Sequence, residues 1–341
     1  MIFTIGCRAI YGKPMTSFIC AVNAGESTGL AVIPNEARKK SNGYLNHEVK
    51  PGGRLEHLDV KIKTFIILSA INGGDIPRSA MHTNIKAIAL EGRLKECKNV
   101  VTLGVRPNFS DYKPAEADLI RKAKKIYYPS PFYADLFDAM GKPTFPSYHT
   151  YKCVQDKIKQ TAIFEMLNIS HPRTRVFYGK RQKKSITNHF TFPFIGKIPR
   201  GSAMGRGVHL IRNRNDLNNY LAQTDTAYIQ EYLPLDRDIR VVIIGRRIVH
   251  AYWRVAPHNE FRSNIAVGGT VSLASVPSEA LELALHTAQL CRWDDVGIDV
   301  CSHEGRYYVL EGNMKYGKEG FRRAGIDYIQ LMENMIENEE I

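Results

Sequence analysis

The sequence predicts an α/β and α+β fold: a small α/β domain built on a parallel sheet, then a larger α+β region rich in antiparallel hairpins. Two observations carry this. From Met81 onward, strand-length runs of Val, Ile and Leu alternate with helical stretches, the pattern of a parallel sheet with crossover helices. From Tyr151 onward, strands recur in close succession, as hairpins do. Residues 1–80 show neither pattern; Gly, Asn and Pro are frequent there and the apolar runs (Ser17 to Val22, Phe65 to Ile71) are short. They are expected to form a weakly patterned N-terminal segment, appended or disordered, with an ordinary subdomain as the alternative. A small α/β domain over 81–150 and the main domain over 151–341 follow.

Taken in order, Ile85 to Leu90, Val100 to Val105 and Ile126 to Tyr128 read as buried strands. Helices are expected from Pro114 to Lys124 and from Pro131 to Met140, each opened by a proline at the first turn. A single helix is predicted from Tyr151 to Leu167. Strands are expected at Arg175 to Tyr178, Phe192 to Pro199, Ala227 to Leu233, Ile239 to Ile244 and Arg247 to Arg254, with a helix over Asp216 to Leu221. Pro277 starts a long helix to about Cys291, and a hairpin (Val296 to Leu310) and a helix (Ile326 to Ile336) end the chain.

Composition narrows the function classes. No apolar run is long enough for a membrane span, and no basic, apolar and small-residue leader is present, so a cytoplasmic protein is expected. The six cysteines are scattered, without Cys-x-x-Cys or paired His spacing, and read as reduced structural thiols. The net charge of +13 suits nucleic acid, a nucleotide or a polyanionic acceptor, and the basic residues are spread along the chain. Runs such as Lys180 to Lys184 read as solvated loops.

Chemistry concentrates in four places. If the last hairpin turns at Glu304-Gly305-Arg306, Asp299 lies directly opposite Glu311, with Cβ atoms about 4.5–5.5 Å apart. Asn313 shares that face two residues on. Two carboxylates so placed repel unless a cation lies between them, and an oxygen-only set with one amide suits Mg²⁺. A two-residue turn would slip the register and break the alignment, leaving solvated charges. Lys197 sits in an apolar strand, where a buried ammonium needs an anionic partner. After it comes Arg200-Gly201-Ser202-Ala203-Met204-Gly205-Arg206-Gly207, whose glycines let backbone approach phosphate oxygens, though the same run reads as a flexible turn. Tyr228 to Pro234 places Gln230, Glu231, Tyr232 and Leu233 at a strand end, where a glutamate could accept from an adenine amino group and Asp238 could take ribose hydroxyls; the alternative is strand-end charge facing water. Last, Arg240, Arg254 and Arg262, the last followed by Ser263-Asn264, could clamp a transferring phosphoryl group or be ordinary surface arginines.

In this order, Asp156-Lys157, Lys197, the 200–207 loop, Gln230 to Leu233, Asp238-Ile239-Arg240, Phe261-Arg262-Ser263-Asn264 with Gly268-Gly269, Gly297-Ile298-Asp299 and Glu311-Gly312-Asn313 resemble the ATP-grasp superfamily. The resemblance is to the branch of ribosomal-protein glutamate ligases and related carboxylate–amine ligases, from about Lys125 to the C-terminus. It implies an ATP-grasp fold in which two α+β subdomains, about 151–232 and 233–341, grip ATP. It implies that Lys157 and Lys197 contact the ATP phosphates and that the loop from Gly201 to Gly207 closes over them. Glu231 and the Leu233 backbone would hold adenine, and Asp238 the ribose. Asp299, Glu311 and Asn313 would bind one or two Mg²⁺, or Mn²⁺ in its place, and Arg240, Arg262 and Asn264 would face the γ-phosphate or acceptor carboxylate. The implied chemistry is a carboxylate attacking the γ-phosphate and an amine then displacing phosphate. After Asn313, where relatives carry a small residue and a proline before glycine, this chain has Met314-Lys315-Tyr316-Gly317, and Lys315 could neutralise an acidic substrate.

The leading expectation is an ADP-forming C–N ligase that joins an acidic carboxylate substrate to an amine such as glutamate, working as a homo-oligomer. The alternatives are a kinase on the same fold and a non-catalytic nucleotide- or nucleic-acid-binding protein.

Overall fold

The computed structural model describes residues 86–201, 207–257 and 268–341 in full, together with the backbone of three strands nearer the N-terminus. The chain divides into two compact units, Met1–Met81 and His82–Ile341. In the first, β1 (Thr4–Cys7), β2 (Ser17–Ala24) and β3 (Ser27–Pro34) form an antiparallel sheet in that order. The apolar run Phe65 to Ile71 lies outside the described residues.

The second unit opens with a four-stranded parallel sheet, as the alternating pattern predicts. Its strands are β4 (Ala87–Ala89), β5 (Val100–Thr102), β6 (Ile126–Tyr127) and β7 (Thr144–Phe145), in the order β5-β4-β6-β7. The helices between them, α1 (Pro114–Lys122) and α2 (Pro131–Ala139), begin at the expected prolines.

The helix expected from Tyr151 to Leu167 is two helices, α3 (Tyr148–Val154) and α4 (Lys157–Met166). Asp156 causes the break: its carboxylate accepts from the Ile158 and Lys159 amides, so it caps a new helix instead of continuing the old one. This places Lys157 at the first position of α4.

A second sheet has the order β10-β9-β11-β8, all antiparallel: β8 (Thr174–Tyr178), β9 (Phe194–Lys197), β10 (Val208–Ile211) and β11 (Thr226–Glu231). Two short helices that the sequence reading left as loop, α5 (Gly179–Lys183) and α6 (Ile186–His189), follow β8, and α7 (Arg214–Leu221) follows β10. Phe177, Phe194, Ile186, Leu217 and Tyr220 form the core of this sheet with its helices.

The third sheet has five antiparallel strands in the order β14-β13-β12-β15-β16: β12 (Arg237–Ile244), β13 (Arg247–Val255), β14 (Thr270–Ser272), β15 (Asp295–His303) and β16 (Arg306–Asn313). The amphipathic α8 (Ser278–Cys291) buries Ala280, Ala284 and Ala288 against the sheet residues Ile239, Val241, Val296 and Ile298. The small α9 (Glu319–Arg323) and α10 (Tyr328–Glu337) pack on the opposite side with Val242, Ile244 and Tyr252. Alternate side chains of β12 thus fall in two cores, Ile239, Val241 and Ile243 in the first and Val242 and Ile244 in the second, which is why Val241 to Ile244 is a continuous apolar run. Among the described residues, no helix is long and apolar enough to cross a membrane.

Candidate active site

The last hairpin turns on two residues, Glu304 and Gly305, both with positive φ, as this type of tight turn requires. The three-residue turn expected from the sequence is therefore wrong, and the register beside the turn is slipped as that reading feared: His303 faces Arg306 and Val300 faces Val309. A β-bulge between Asp299 and Val300 then corrects it. Leu310 is the extra residue, so Asp299 faces Glu311 and Gly297 faces Asn313. The expected alignment exists, reached by a different route.

Across the neighbouring strand, Arg240 of β12 lies directly opposite Asp299, so Arg240, Asp299 and Glu311 form one row across three strands. Asp299 is 2% exposed. Its Oδ1 accepts from Arg240 Nε, and its Oδ2 accepts from Arg240 Nη2 at 3.1 Å and lies 2.8 Å from Arg254 Nη2. Arg254 in turn donates to both oxygens of Asp238, at 2.7 and 2.6 Å. The third Arg240 donor, Nη1, reaches the Tyr316 carbonyl at 3.1 Å. Three of its five N–H groups are thereby occupied.

Glu311 is held differently. Its Oε2 lies 3.2 Å from Lys157 Nζ and its Oε1 accepts from Asn313 Nδ2 at 2.8 Å. Desolvation pushes its pKa up, but the ammonium groups of Lys157 and Lys197 and the Asn313 hydrogen bond outweigh it, holding the carboxyl down at about 2. Lys197 is buried, over the ring of Tyr228. Burial pushes its pKa down, and Lys157 adds repulsion while Glu311 opposes both. The strongest anionic influence on it is Glu311, without a direct ion pair between the two among the described residues.

This arrangement tests whether a divalent metal fits. Among the described residues, no three His, Cys, Asp or Glu side chains gather as a metal cluster. The donor set is two carboxylates and an amide, all oxygen. Among the described residues, five protein donors meet the four oxygens of Asp299 and Glu311, fewer than the roughly eight lone-pair directions two carboxylates present, and no donor meets Asn313 Oδ1. Oxygen ligands with open positions suit Mg²⁺. Charge qualifies the fit. Arg240, Arg254, Lys157 and Lys197 exceed Asp238, Asp299 and Glu311 by one, so the site attracts an anion more strongly than a bare cation.

The remaining sequence candidates divide. Gly201 and Gly207, both at positive φ, flank the phosphate-loop candidate, while Ser202, Ala203, Met204, Gly205 and Arg206 lie outside the described residues, as do Arg262 and Asn264. Lys157 donates its amide to the Pro199 carbonyl, and Asp156 accepts from Arg200 Nε at 2.9 Å, so the start of α4 and the start of the loop are tied together. Gln230 is buried and donates to Thr174. The Glu231 carboxylate accepts from the Arg173 amide at 2.6 Å, beyond which Tyr232 and Leu233 leave the strand half-buried. Asp238 is buried against Arg254.

Sequence reasoning missed two supports. Gln160, buried on α4, both donates to the Gly312 carbonyl and accepts from its amide, clamping the residue between Glu311 and Asn313. A Cβ on Gly312 would lie 2.7 Å from the Trp293 ring. The second is a cluster around Tyr316. Its ring occupies the space left by Gly297, where a Cβ would meet Tyr316 Cβ at 2.5 Å. Its hydroxyl donates to buried Asp295 at 2.7 Å, and Tyr128 donates to the same carboxylate at 3.0 Å. Arg93, from the parallel-sheet region, lies 4.6 Å from the Tyr316 ring centroid and donates to the Met314 carbonyl at 3.1 Å. The Met314 to Gly317 segment that departs from the family pattern is thus held in place by Arg93, with Lys315 exposed on it. The only cue in the sequence is the glycine at 297 within an apolar strand.

Comparison with known proteins shows the family to which the chain belongs. A glutamate ligase of Methanococcus maripaludis, named coenzyme gamma-F420-2:alpha-L-glutamate ligase, is 30% identical over 181 residues, covering 50% of this chain and 62% of that protein's length. The ribosomal protein bS6–L-glutamate ligase of Escherichia fergusonii is 27% identical over 54% of this chain and 63% of its own. Among solved structures, a RimK domain ATP-grasp protein from Sphaerobacter thermophilus matches with a TM-score of 0.56 at 14% identity, covering 73% of this chain and 98% of that one. D-alanine–D-alanine ligase from Bacillus anthracis, complexed with ATP, also has a TM-score of 0.56, covering 74% and 95%. At such identities these structures speak for the fold. The family model for the RimK-like ATP-grasp domain matches residues 154–336, more than half of the 341-residue chain, and the protein belongs to that family.

Proposed function

We propose that the protein is an Mg-ATP-dependent, ADP-forming carboxylate–amine ligase, with residues of about 151–232 cradling the nucleotide and about 233–341 carrying the metal and the reaction. The observation that carries this is the row Arg240–Asp299–Glu311, with Lys157 and Lys197 converging on Glu311. Lys157 and Lys197 bind the triphosphate, and the loop between Gly201 and Gly207 covers it. Gln230, Glu231, Tyr232 and Leu233 form the adenine edge, and Asp238 the ribose side. Asp299, Glu311 and Asn313 hold one or two Mg²⁺, which when bound neutralise phosphate charge. Arg240 has two N–H groups left for phosphoryl oxygens, and Arg262 and Asn264 complete that side.

The substrate carboxylate attacks the γ-phosphorus, releasing ADP and forming an acyl phosphate. The amine then displaces phosphate to give an amide. The relatives' names point to glutamate as one of the two substrates, and the positive balance of the site suits an acidic one. A panel of amino acids and acidic peptides, assayed for ADP release with and without the amine, tests the reading. Amine-dependent ADP release with an amide product is expected. Phosphorylated product without any amine requirement would replace it with a kinase.

A further inference from the structure

The basic excess has a location. Basic residues occur throughout the chain, but between Met166 and Asn215 there is no Asp or Glu, against eleven Lys and Arg; elsewhere thirty-six Lys and Arg stand against all thirty-four Asp and Glu. Nearly the whole net charge of +13 therefore lies in the fifty residues that build β8 to β10 and open α7. Protein surfaces that serve solubility mix both signs.

The proposed nucleotide site uses only part of this charge. Lys197 is buried at Glu311, Arg200 pairs with Asp156, Arg173 faces Glu231, and Lys183 donates to the Thr224 carbonyl at 2.6 Å. Along β8, α5 and the residue that follows it, Arg175, Lys180, Arg181 and Lys184 are exposed and form no ion pair among the described residues; Arg175 lies against the Phe177 ring, with one Nη 3.4 Å from His189 Nδ1. The register separates Arg175 from the catalytic face. Arg175 aligns with Ile229 and Gly196, whereas Val176 aligns with Tyr228 and Lys197, so Arg175 projects from the sheet face opposite Lys197. β8 is an edge strand about 17 Å long. At its end Tyr178, on the other side of this edge strand from Arg175 by the same alternation, is 52% exposed, directly before α5, and Gln182 of that helix accepts from its amide.

We infer that this rim, β8 with α5, is a binding surface for single-stranded nucleic acid. Guanidinium and ammonium groups free of ion pairs follow a phosphate backbone, and the exposed Tyr178 ring at the end of the strand offers a face for an unstacked base. An acidic peptide would use the same cations but has no need of the ring. A duplex keeps its bases stacked on one another and cannot use it either.

The test is fluorescence anisotropy with a labelled single strand of about 20 nucleotides. The competitors are the matching duplex and a polyglutamate peptide. Binding is expected to weaken with salt at a log–log slope of roughly −3, from four phosphates at about −0.7 each. Combined Arg175→Gln, Lys180→Gln, Arg181→Gln and Lys184→Gln substitutions should weaken it at least about tenfold and flatten the slope. Tyr178→Ala should weaken it about tenfold with the slope unchanged. A non-hydrolysable ATP analogue should bind the variants as it binds the parent, which shows that they are folded and keeps this outcome apart from any failure of the ligase reading. Absence of binding, full affinity in the fourfold variant, or preference for polyglutamate or duplex over the single strand would each overturn the inference.

Discussion

Arg254 is the most exacting single test of the site's electrostatics. It is 4% exposed, Asp238 is 5% and Asp299 is 2%. The guanidinium makes two hydrogen bonds to Asp238 and a 2.8 Å contact with Asp299. Arg254→Met keeps most of the aliphatic volume but strips Asp238 of both guanidinium bonds, while Asp299 keeps Arg240. Removing one member of a buried, hydrogen-bonded ion pair costs roughly 3–5 kcal/mol, because a desolvated charge stays behind. Asp238→Asn alone leaves Arg254 with Asp299 and should cost less, about 1–3 kcal/mol. In Arg254→Met/Asp238→Asn both charges are gone, so the double variant should be more stable than Arg254→Met alone. The coupling energy should be about 2 kcal/mol or more. Urea unfolding of the four proteins at pH 7 measures all three quantities. If Arg254→Met loses less than about 1 kcal/mol, or the two effects simply add, the pair is not the desolvated network described above.

Gly297→Ala places a Cβ 2.5 Å from Tyr316 and 2.8 Å from Arg240 Cδ; overpacking should cost roughly 1–3 kcal/mol and weaken ATP-analogue binding, measured by unfolding and calorimetry. Arg93→Ala should destabilise by about 3 kcal/mol, since it removes the cation lying against Tyr316 and near buried Asp295, and Arg93→Lys should restore little because an ammonium cannot replace the planar stack. Asp156→Ala should cost about 1 kcal/mol as a lost helix cap, whereas Asp156→Asn should keep the cap. Desolvation raises the Asp156 pKa, but Arg200 and the two capping amides outweigh it and leave it below the ordinary value of 3.8. Its ionised form therefore adds stability above that pH that fades as pH falls through the lowered pKa, and Asp156→Asn should lack this acid-dependent portion in unfolding curves. Mg²⁺ alone should bind at least about tenfold more weakly than Mg²⁺ with an ATP analogue, by titration calorimetry, because the carboxylates are already neutralised by protein cations.

The order of motifs made the fold family legible before any coordinates. Lys197 in an apolar strand demanded an anion, and its electrostatic partner is Glu311. The single helix drawn through Tyr151 to Leu167 failed because capping by Asp156 is a local side-chain choice that apolar spacing does not encode. The hairpin failed in its turn and succeeded in its outcome. Gly305 admits a two-residue turn as easily as a three-residue one, and a bulge at Leu310 has no signature in an apolar strand.

By itself the sequence determined that Lys197, Asp299 and Glu311 carry charge into or beside apolar strands, and hence that each needs a partner of opposite charge. Burying any of them alone is too costly. Only the tertiary structure decided how they are shared out: Asp299 to Arg240 and Arg254, Glu311 to Lys157 and Lys197. Pairing across strands depends on register, and register is set by turns, bulges and the packing of Tyr316 over Gly297. Those are contacts between residues far apart in the chain, which no local pattern records.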